Sequence, residues 1–202
     1  LEAIAEVLRD TDITVLSDEI YAELTYCEGR HVSIAEIEGM KDRTILVSGF
    51  SKAYAMTGWR LGYVCAHRDF TKVMLKVHQY ALMCAPTTSQ FAAIEAMRNG
   101  DEDIELMRRE YNYRRRLIVD GFNEIGLSCF EPEGAFYCFP CIRSAGMSSE
   151  EFCRELLEKE HVALVPGDAF GPSGEGFVRA SYAYSLEHIK TALGRIKNFL
   201  NR

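Results

Sequence analysis

Apolar positions along the 202 residues recur with two periods, and the period changes mark the elements. Leu1, Ile4, Ala5 and Leu8 stand at helical spacing, which predicts a helix over residues 1–10. A short apolar run from Ile13 to Leu16 predicts a strand that ends in the acidic cluster SDEIY, and SIAEIEG predicts a short helix. RTILVSG and RLGYVCA are apolar and β-branched enough to predict two more buried strands. RDFTKVMLKVHQYALMC predicts an amphipathic helix, TSQFAAIEAMRNG a second one stopped by Gly100, and residues 101–125 a long helix closed by Gly126. Strands that alternate with helices predict an α/β layer. Beyond the long helix the order changes. GAFYCFP reads as a strand and SSEEFCRELLEKE as a helix capped by Ser148 or Ser149. VALVPG and GFVRASYA read as strands, and SLEHIKTALGRIKNFL as a closing helix. This later stretch is α+β. The expected organisation is therefore one domain over residues 1–108 and a smaller one over 109–202, with no internal repeat.

Composition narrows the class. Hydrophobic residues make up 48% and charged residues 26%, enough for a packed core without covalent staples. The net charge of -7 argues against a nucleic-acid binder. The one basic run, Arg108, Arg109 and Arg114 to Arg116, alternates with Glu105 and Glu110 and reads as a solvated helix face. Seven cysteines, an odd number without regular spacing, read as reduced thiols and predict a cytoplasmic protein. Cys138 and Cys141 form a C-x-x-C that lacks the second ligand pair of a structural zinc site, so no metal is expected. No apolar run approaches the ~20 residues of a membrane span, and no signal peptide or membrane partner is expected. The opening LEAIAEVLRD has no Met and starts in mid-pattern, which predicts that more chain precedes it.

Candidate chemistry stands at two strand ends, where open α/β sheets carry their sites. SDEIY brings Asp18, Glu19 and Tyr21; SGFSK brings Ser48, Ser51 and Lys52. A lysine leaving a buried strand among Gly, Phe and Ala is partly desolvated. Desolvation favours the neutral amine, a nucleophile toward carbonyl compounds, pyridoxal 5'-phosphate (PLP) included. Such a lysine needs a carboxylate opposite the pyridinium nitrogen, a role Asp18 could fill, and an anion site for the phosphate. Arg60 and the serine hydroxyls could supply that anion site. The same residues also read as a surface lysine, a packed arginine and the acids of a helix N-terminus. Taken residue by residue, both readings stand.

The stretch GFSKAYAMTGWRLG, residues 49–62, closely resembles the PLP-attachment signature of class I/II aminotransferases of fold type I. In that signature a lysine is followed eight positions on by an arginine and then by a glycine, as Lys52, Arg60 and Gly62 are here. SDEIYAEL, PEGAFYCFP and VALVPGDAFGPSGEGFVRASYA resemble further segments of the same family, in the same order, so the likeness covers essentially the whole chain. It implies a portion of a large PLP-binding domain, a mainly parallel sheet with helices, followed by an α+β small C-terminal domain. It also implies that residue 1 falls just after the family's N-P-x-x-P-T-G turn. Several cofactor contacts would then lie upstream, and this piece alone would be inactive and bind PLP poorly.

The implied roles fall on named positions. Lys52 resembles the Schiff-base lysine that also moves a proton at the substrate Cα. Asp18 resembles the pyridinium partner, Tyr21 the donor to the ring's phenolic oxygen, and Arg60 a phosphate ligand. Arg179 resembles the fork that grips the substrate α-carboxylate. Many relatives carry serine three residues before the lysine as a phosphate donor; here that position is Gly49. Ser51 is the first choice for the missing hydroxyl and Ser48 the second, each with the alternative of a strand-end hydroxyl bonding local backbone. Tyr54, Trp59, Tyr63 and Tyr182 read as packing residues. The resemblance implies transamination of an L-amino acid, aspartate or aromatic, with a 2-oxo acid such as 2-oxoglutarate, by a homodimer. A carbon–sulfur lyase, or a non-catalytic sensor domain of a transcription regulator, would use much the same sequence.

Overall fold

A computed structural model describes residues 1–201; Arg202, the last residue of the expected second domain, lies outside them. The chain divides into two compact units, Leu1–Leu106 and Met107–Arg202. The division falls inside one long helix.

The first unit opens with helix α1 (Glu2–Leu8) and strand β1 (Val15–Asp18). Strand β2 (Thr44–Gly49), the one-turn helix α2 (Phe50–Ala53) and strand β3 (Gly62–Ala66) follow. Helices α3 (Arg68–Ala81) and α4 (Thr87–Asn99) complete the unit, together with the start of α5 (Asp101–Glu124). The sheet order is β1-β2-β3. Strands β1 and β2 are parallel, in register from Val15 opposite Thr44 to Asp18 opposite Val47. Strand β3 runs antiparallel to β2, from Ile45 opposite Ala66 to Gly49 opposite Gly62. The reason is local: residues 50–61 form two short turns and hold no helix long enough for the crossover that parallel neighbours require.

Two expected elements differ in this unit. The first strand lies two residues later than the apolar run Ile13–Leu16, because its pairing with β2 fixes its register, and Ile13 is exposed. SIAEIEG forms a single 3-10 turn, Ile34–Glu36, held by a capping box between Ser33 and Glu36. Ile37 is already extended and Gly39 is left-handed, so the helix cannot continue. The amphipathic pattern of α3 gives the expected helix, yet Val73, Val77 and Tyr80 on it are exposed. Two apolar clusters hold the unit together. Ala5, Ile34 and Met40 pack with Leu8, Val15 and Ile37. Phe50, Met56 and Ala93 pack with Tyr54 and Leu61.

The second unit holds the rest of α5, strand β4 (Tyr137–Cys138), helix α6 (Ser149–Glu160), strands β5 (Val165–Pro166) and β6 (Val178–Ser181), and helix α7 (Leu186–Leu200). Its sheet is antiparallel with order β4-β6-β5. The strands are shorter than the apolar runs suggest: the left-handed Ala135 bends the chain just before β4, and Pro140 lacks a ladder donor just after it. Ser148 is the α6 cap and accepts from the Glu151 amide, whereas the buried Ser149 hydroxyl accepts from the Gly176 amide. Phe122, Leu127, Ile142, Phe152, Leu156, Val178, Tyr182 and Ile196 are fully buried and form the core. Tyr182 is a packing residue, as expected, with its hydroxyl donating to the Ala135 carbonyl at 3.1 Å.

The basic run is not uniformly solvated. Arg115 is 6% exposed. It lies three and seven residues before Ile118 and Phe122, on the face that α5 turns to the core. Its guanidinium donates to Asn112 Oδ1 at 3.0 Å and to the Pro132 carbonyl at 2.9 Å, and pairs with Glu131 at 3.0 Å. Arg115→Ala would strip the 131–132 loop of its anchors. The expected cost is about 1–3 kcal/mol, the usual range for a buried polar group left without a partner. Urea unfolding should show a lower midpoint at unchanged slope.

Candidate active site

Because β1 and β2 are parallel, their C-terminal ends meet at one edge of the sheet. Asp18 is the last residue of β1 and is exposed. Its Oδ1 accepts from the Ile20 amide at 3.2 Å, a local turn that sets the direction of the chain toward Tyr21. Tyr21 is half-buried, and its carbonyl accepts from the Leu24 amide at 2.9 Å.

The intervening Glu19 carries a network that the sequence pattern leaves unassigned. It is 9% exposed. Its Oε1 accepts from Ser17 Oγ at 3.0 Å and Ser33 Oγ at 2.6 Å, while Oε2 pairs with His31 Nε2 at 2.9 Å. The Glu19 amide donates to the Val47 carbonyl, and its own carbonyl accepts from Ser48 Oγ at 3.2 Å. Glu19 thus ties the Asp18 turn to β2 and to the segment around His31. Two of these partners, His31 and Ser33, lie 12 and 14 residues away in sequence, so no local spacing signals them.

Strand β2 delivers Lys52. Alternation along the sheet puts Asp18, Val47 and Gly49 on one face and Ser17, Leu46 and Ser48 on the other. Ser48 is therefore on the face opposite Asp18, with its hydroxyl engaged by Glu19. At Gly49 the backbone approaches β3 closely: an added Cβ would lie 2.9 Å from Gly62 Cα and 3.0 Å from the Leu61 carbonyl oxygen. A side chain at position 49 would meet backbone there. The one-turn helix α2 follows. Its Phe50 and Ala53 are buried, while Ser51 and Lys52 are half-buried.

Between Lys52 and Arg60 the backbone is strained. Ala55 and Arg60 both have φ of 53°, the left-handed region, which costs an L-residue roughly 1–2 kcal/mol. Such strain collects at functional sites, where the surroundings hold it in place. Here the buried Ser89 hydroxyl donates to the Trp59 carbonyl at 2.7 Å, and the Met56 amide donates to the Phe50 carbonyl. Arg60 is exposed and its Nη1 donates to the Thr57 carbonyl at 2.9 Å. Trp59 and Tyr63, expected to pack, are each 47% exposed, and the Tyr63 ring packs edge-on with Phe50, its centroid 5.8 Å away. A cavity of about 770 Å³ lies on the Ser48 face, lined by Glu19, His31, Ser48, Phe50 and Tyr63. Asp18, Lys52 and Arg60 do not line it.

In the second unit, Arg179 lies on β6 opposite Val165. Val178 and Ala180 point into the core, so the alternation leaves Arg179 half-buried on the outer face. Its guanidinium lies 4.6 Å from the Tyr137 ring centroid and 4.7 Å from that of Phe170. Two aromatic faces favour the cation and hold its plane. Sequence reasoning misses this pair, because Tyr137 and Phe170 reach Arg179 only through the fold.

Asp18 and Lys52 thus stand at the ends of neighbouring parallel strands of an α/β unit, with Arg60 eight residues beyond the lysine. The family "Aminotransferase class I and II" matches residues 1–196. The Bacillus subtilis protein YugH, provisionally named an aminotransferase, is 58% identical over 202 residues, covering 100% of this chain and 52% of the relative. An aspartate aminotransferase of Pyrococcus abyssi is 45% identical over 202 residues, covering 99% of this chain and 52% of its own length. The crystal structure of an aromatic aminotransferase from Pyrococcus horikoshii OT3 superposes with a TM-score of 0.96 at 44% identity, covering 99% of this chain and 54% of that one. The chain belongs to the class I and II aminotransferases and has their fold-type-I architecture. It spans about half the length of the relatives it matches.

Proposed function

We propose that the protein carrying this chain is a PLP-dependent aminotransferase, acting on an L-amino acid, aspartate or aromatic, with a 2-oxo acid such as 2-oxoglutarate as acceptor. The observation that carries the reading is the shared sheet edge: Asp18 closes β1, and Lys52 stands in the turn that follows its parallel neighbour β2. The donor set fits PLP: an amine for its aldehyde carbon, a carboxylate for its ring nitrogen, and a guanidinium with a hydroxyl for its phosphate.

Bound PLP would supply an electron sink for the charge that develops at the substrate Cα. The chain's own residues do the rest. Lys52 would hold the aldehyde carbon and would carry a proton to and from the substrate Cα. Asp18 would face the ring nitrogen, and Tyr21 would donate to the phenolic oxygen. Arg60 and Ser51 grip the phosphate; Ser48, engaged by Glu19 on the opposite face, is the weaker choice. Arg179 binds the substrate α-carboxylate through both arms of its fork and so orients the Cα–H bond. Under this reading residues 1–108 belong to the large cofactor domain and 109–202 to the small domain. The working form is a cytoplasmic homodimer that needs the remainder of the chain, and the 202 residues alone bind PLP weakly. Borohydride reduction of the full-length protein in the presence of PLP tests the central assignment. Peptide mapping should find the reduced adduct on Lys52, and an adduct on any other lysine overturns it.

A further inference from the structure

Arg179 stands in a run of aromatic rings that no step proposed above uses. The two rings it touches, Tyr137 at 4.6 Å and Phe170 at 4.7 Å, are each packed on a further ring. The Phe136 centroid lies 4.8 Å from that of Tyr137, and the Phe139 centroid 5.8 Å from that of Phe170, edge-on. Phe139 in turn stacks on Phe177 at 6.0 Å. Tyr137 arrives through the sheet, since β4 pairs with β6 and sets it opposite Ser181. Phe170 arrives by another route. It ends the 3-10 turn Gly167–Phe170, in the loop that joins β5 to β6. That loop is tightly wound. The Gly167 amide donates to the Phe177 carbonyl at 2.9 Å, the Gly171 amide to the Asp168 carbonyl at 3.0 Å, and the Gly174 amide to the Gly171 carbonyl at 2.9 Å. A Cβ at Gly174 would collide with the Gly167 carbonyl oxygen, so the winding depends on glycine there. It leaves Phe170 53% exposed, a large ring fixed against a cation at the surface. Other arginines of this unit are held differently. Arg114, near the Tyr111 ring, has the Glu110 carboxylate 3.7 Å away, and Arg143 lies near the Phe177 ring alone. Among the described residues Arg179 has two rings, no acid partner and no carbonyl that accepts from it.

We propose that Phe170 is a positioning residue: it holds the Arg179 guanidinium in place before the substrate arrives and leaves its N–H groups for the α-carboxylate, an inference that rests on the function proposed above. A guanidinium is a flat cation on a long flexible stem. A free one loses rotamer freedom when it docks a ligand, and that loss weakens binding. Contact with rings removes much of the freedom in advance, because a ring attracts the cation without hydrogen bonding to it. The donors that fork onto a carboxylate therefore stay available. An acidic neighbour would steady the arginine too, but it would occupy those same donors. Phe170 also keeps water off part of the cation, which strengthens its pairing with an anion. Tyr137 is part of the sheet, and replacing it would disturb β4. Phe170 is half-exposed on its loop, so its ring can be exchanged without opening the core.

The full-length protein loaded with PLP is compared with Phe170→Leu and Phe170→Tyr, each assayed on an L-amino acid and on the matching amine without the α-carboxylate. Phe170→Leu keeps an apolar side chain and removes the ring. Its KM for the amino acid should rise roughly 2- to 30-fold, the range set by one cation–π contact, with kcat close to that of the parent. The amine should lose nothing, and Phe170→Tyr, which keeps a ring, should behave as the parent does. Equal losses on both substrates would mark Phe170 as a support of the fold and overturn the proposal. Arg179→Lys, assayed alongside, separates two failures. If it discriminates between the substrates while Phe170→Leu does not, the positioning role falls and the function proposed above stands. If it lowers both substrates alike, the carboxylate grip falls, and the positioning role with it. A second readout needs no substrate. Phenylglyoxal modifies accessible guanidinium groups, and its rate at Arg179, mapped by peptide mass, is divided by its rate at the exposed Arg154. That ratio should rise several-fold in Phe170→Leu and stay at the parental value in Phe170→Tyr. An unchanged ratio in Phe170→Leu overturns the proposal.

Discussion

Lys52→Ala in the full-length protein should abolish transamination, with kcat reduced by at least the ~10²–10⁴-fold that a positioned acid–base group contributes. The half-buried lysine follows the β2 end on a single helical turn whose Phe50 and Ala53 are packed, so the truncation leaves its supports in place. Single-turnover mixing of the variant, PLP and amino acid would read the proton-transfer step directly. Small primary amines should restore some of the rate, since they replace the missing base, and Lys52→Arg should not. A variant that keeps the parental rate would remove Lys52 from the chemistry.

The second large effect is expected at Arg179. Arg179→Lys keeps the charge and the aromatic neighbours but replaces the planar fork by a point charge. Loss of one charge-assisted hydrogen bond, about 1.5–3 kcal/mol, predicts a fall in kcat/KM for α-amino acids of roughly 10- to 100-fold. An amine substrate without the α-carboxylate should lose nothing by the same substitution. Equal losses for both substrates would show that Arg179 supports the fold and does not grip the substrate.

Much of this molecule is legible before it folds, and the illegible regions share a cause. Helices with a sustained apolar period, such as Asp101–Glu124 and Leu186–Leu200, come out close to their expected limits. The two strands TILVSG and GYVCA do so as well. What the pattern misses is set by partners distant in sequence. The register of β1 is fixed by β2, so the strand extends to Asp18 and Ile13 drops out. Arg115 is drawn inward by a loop carbonyl 17 residues on. At the candidate site Lys52 and Arg60 are readable from one linear motif, because a strand, a turn and eight residues of spacing are local facts. Their supports, Glu19 with His31 and Arg179 with its two rings, are made by tertiary contact and leave no local trace.

The close approach of Gly49 to Gly62 bears on which substitutions this strand pair tolerates. A side chain at 49 meets backbone, which cannot swing aside as a flexible side chain would. A serine at position 49 would therefore have to push β2 and β3 apart. Ser51 stands beyond that strand pair, on the helical turn beside the lysine, where its hydroxyl requires no such displacement.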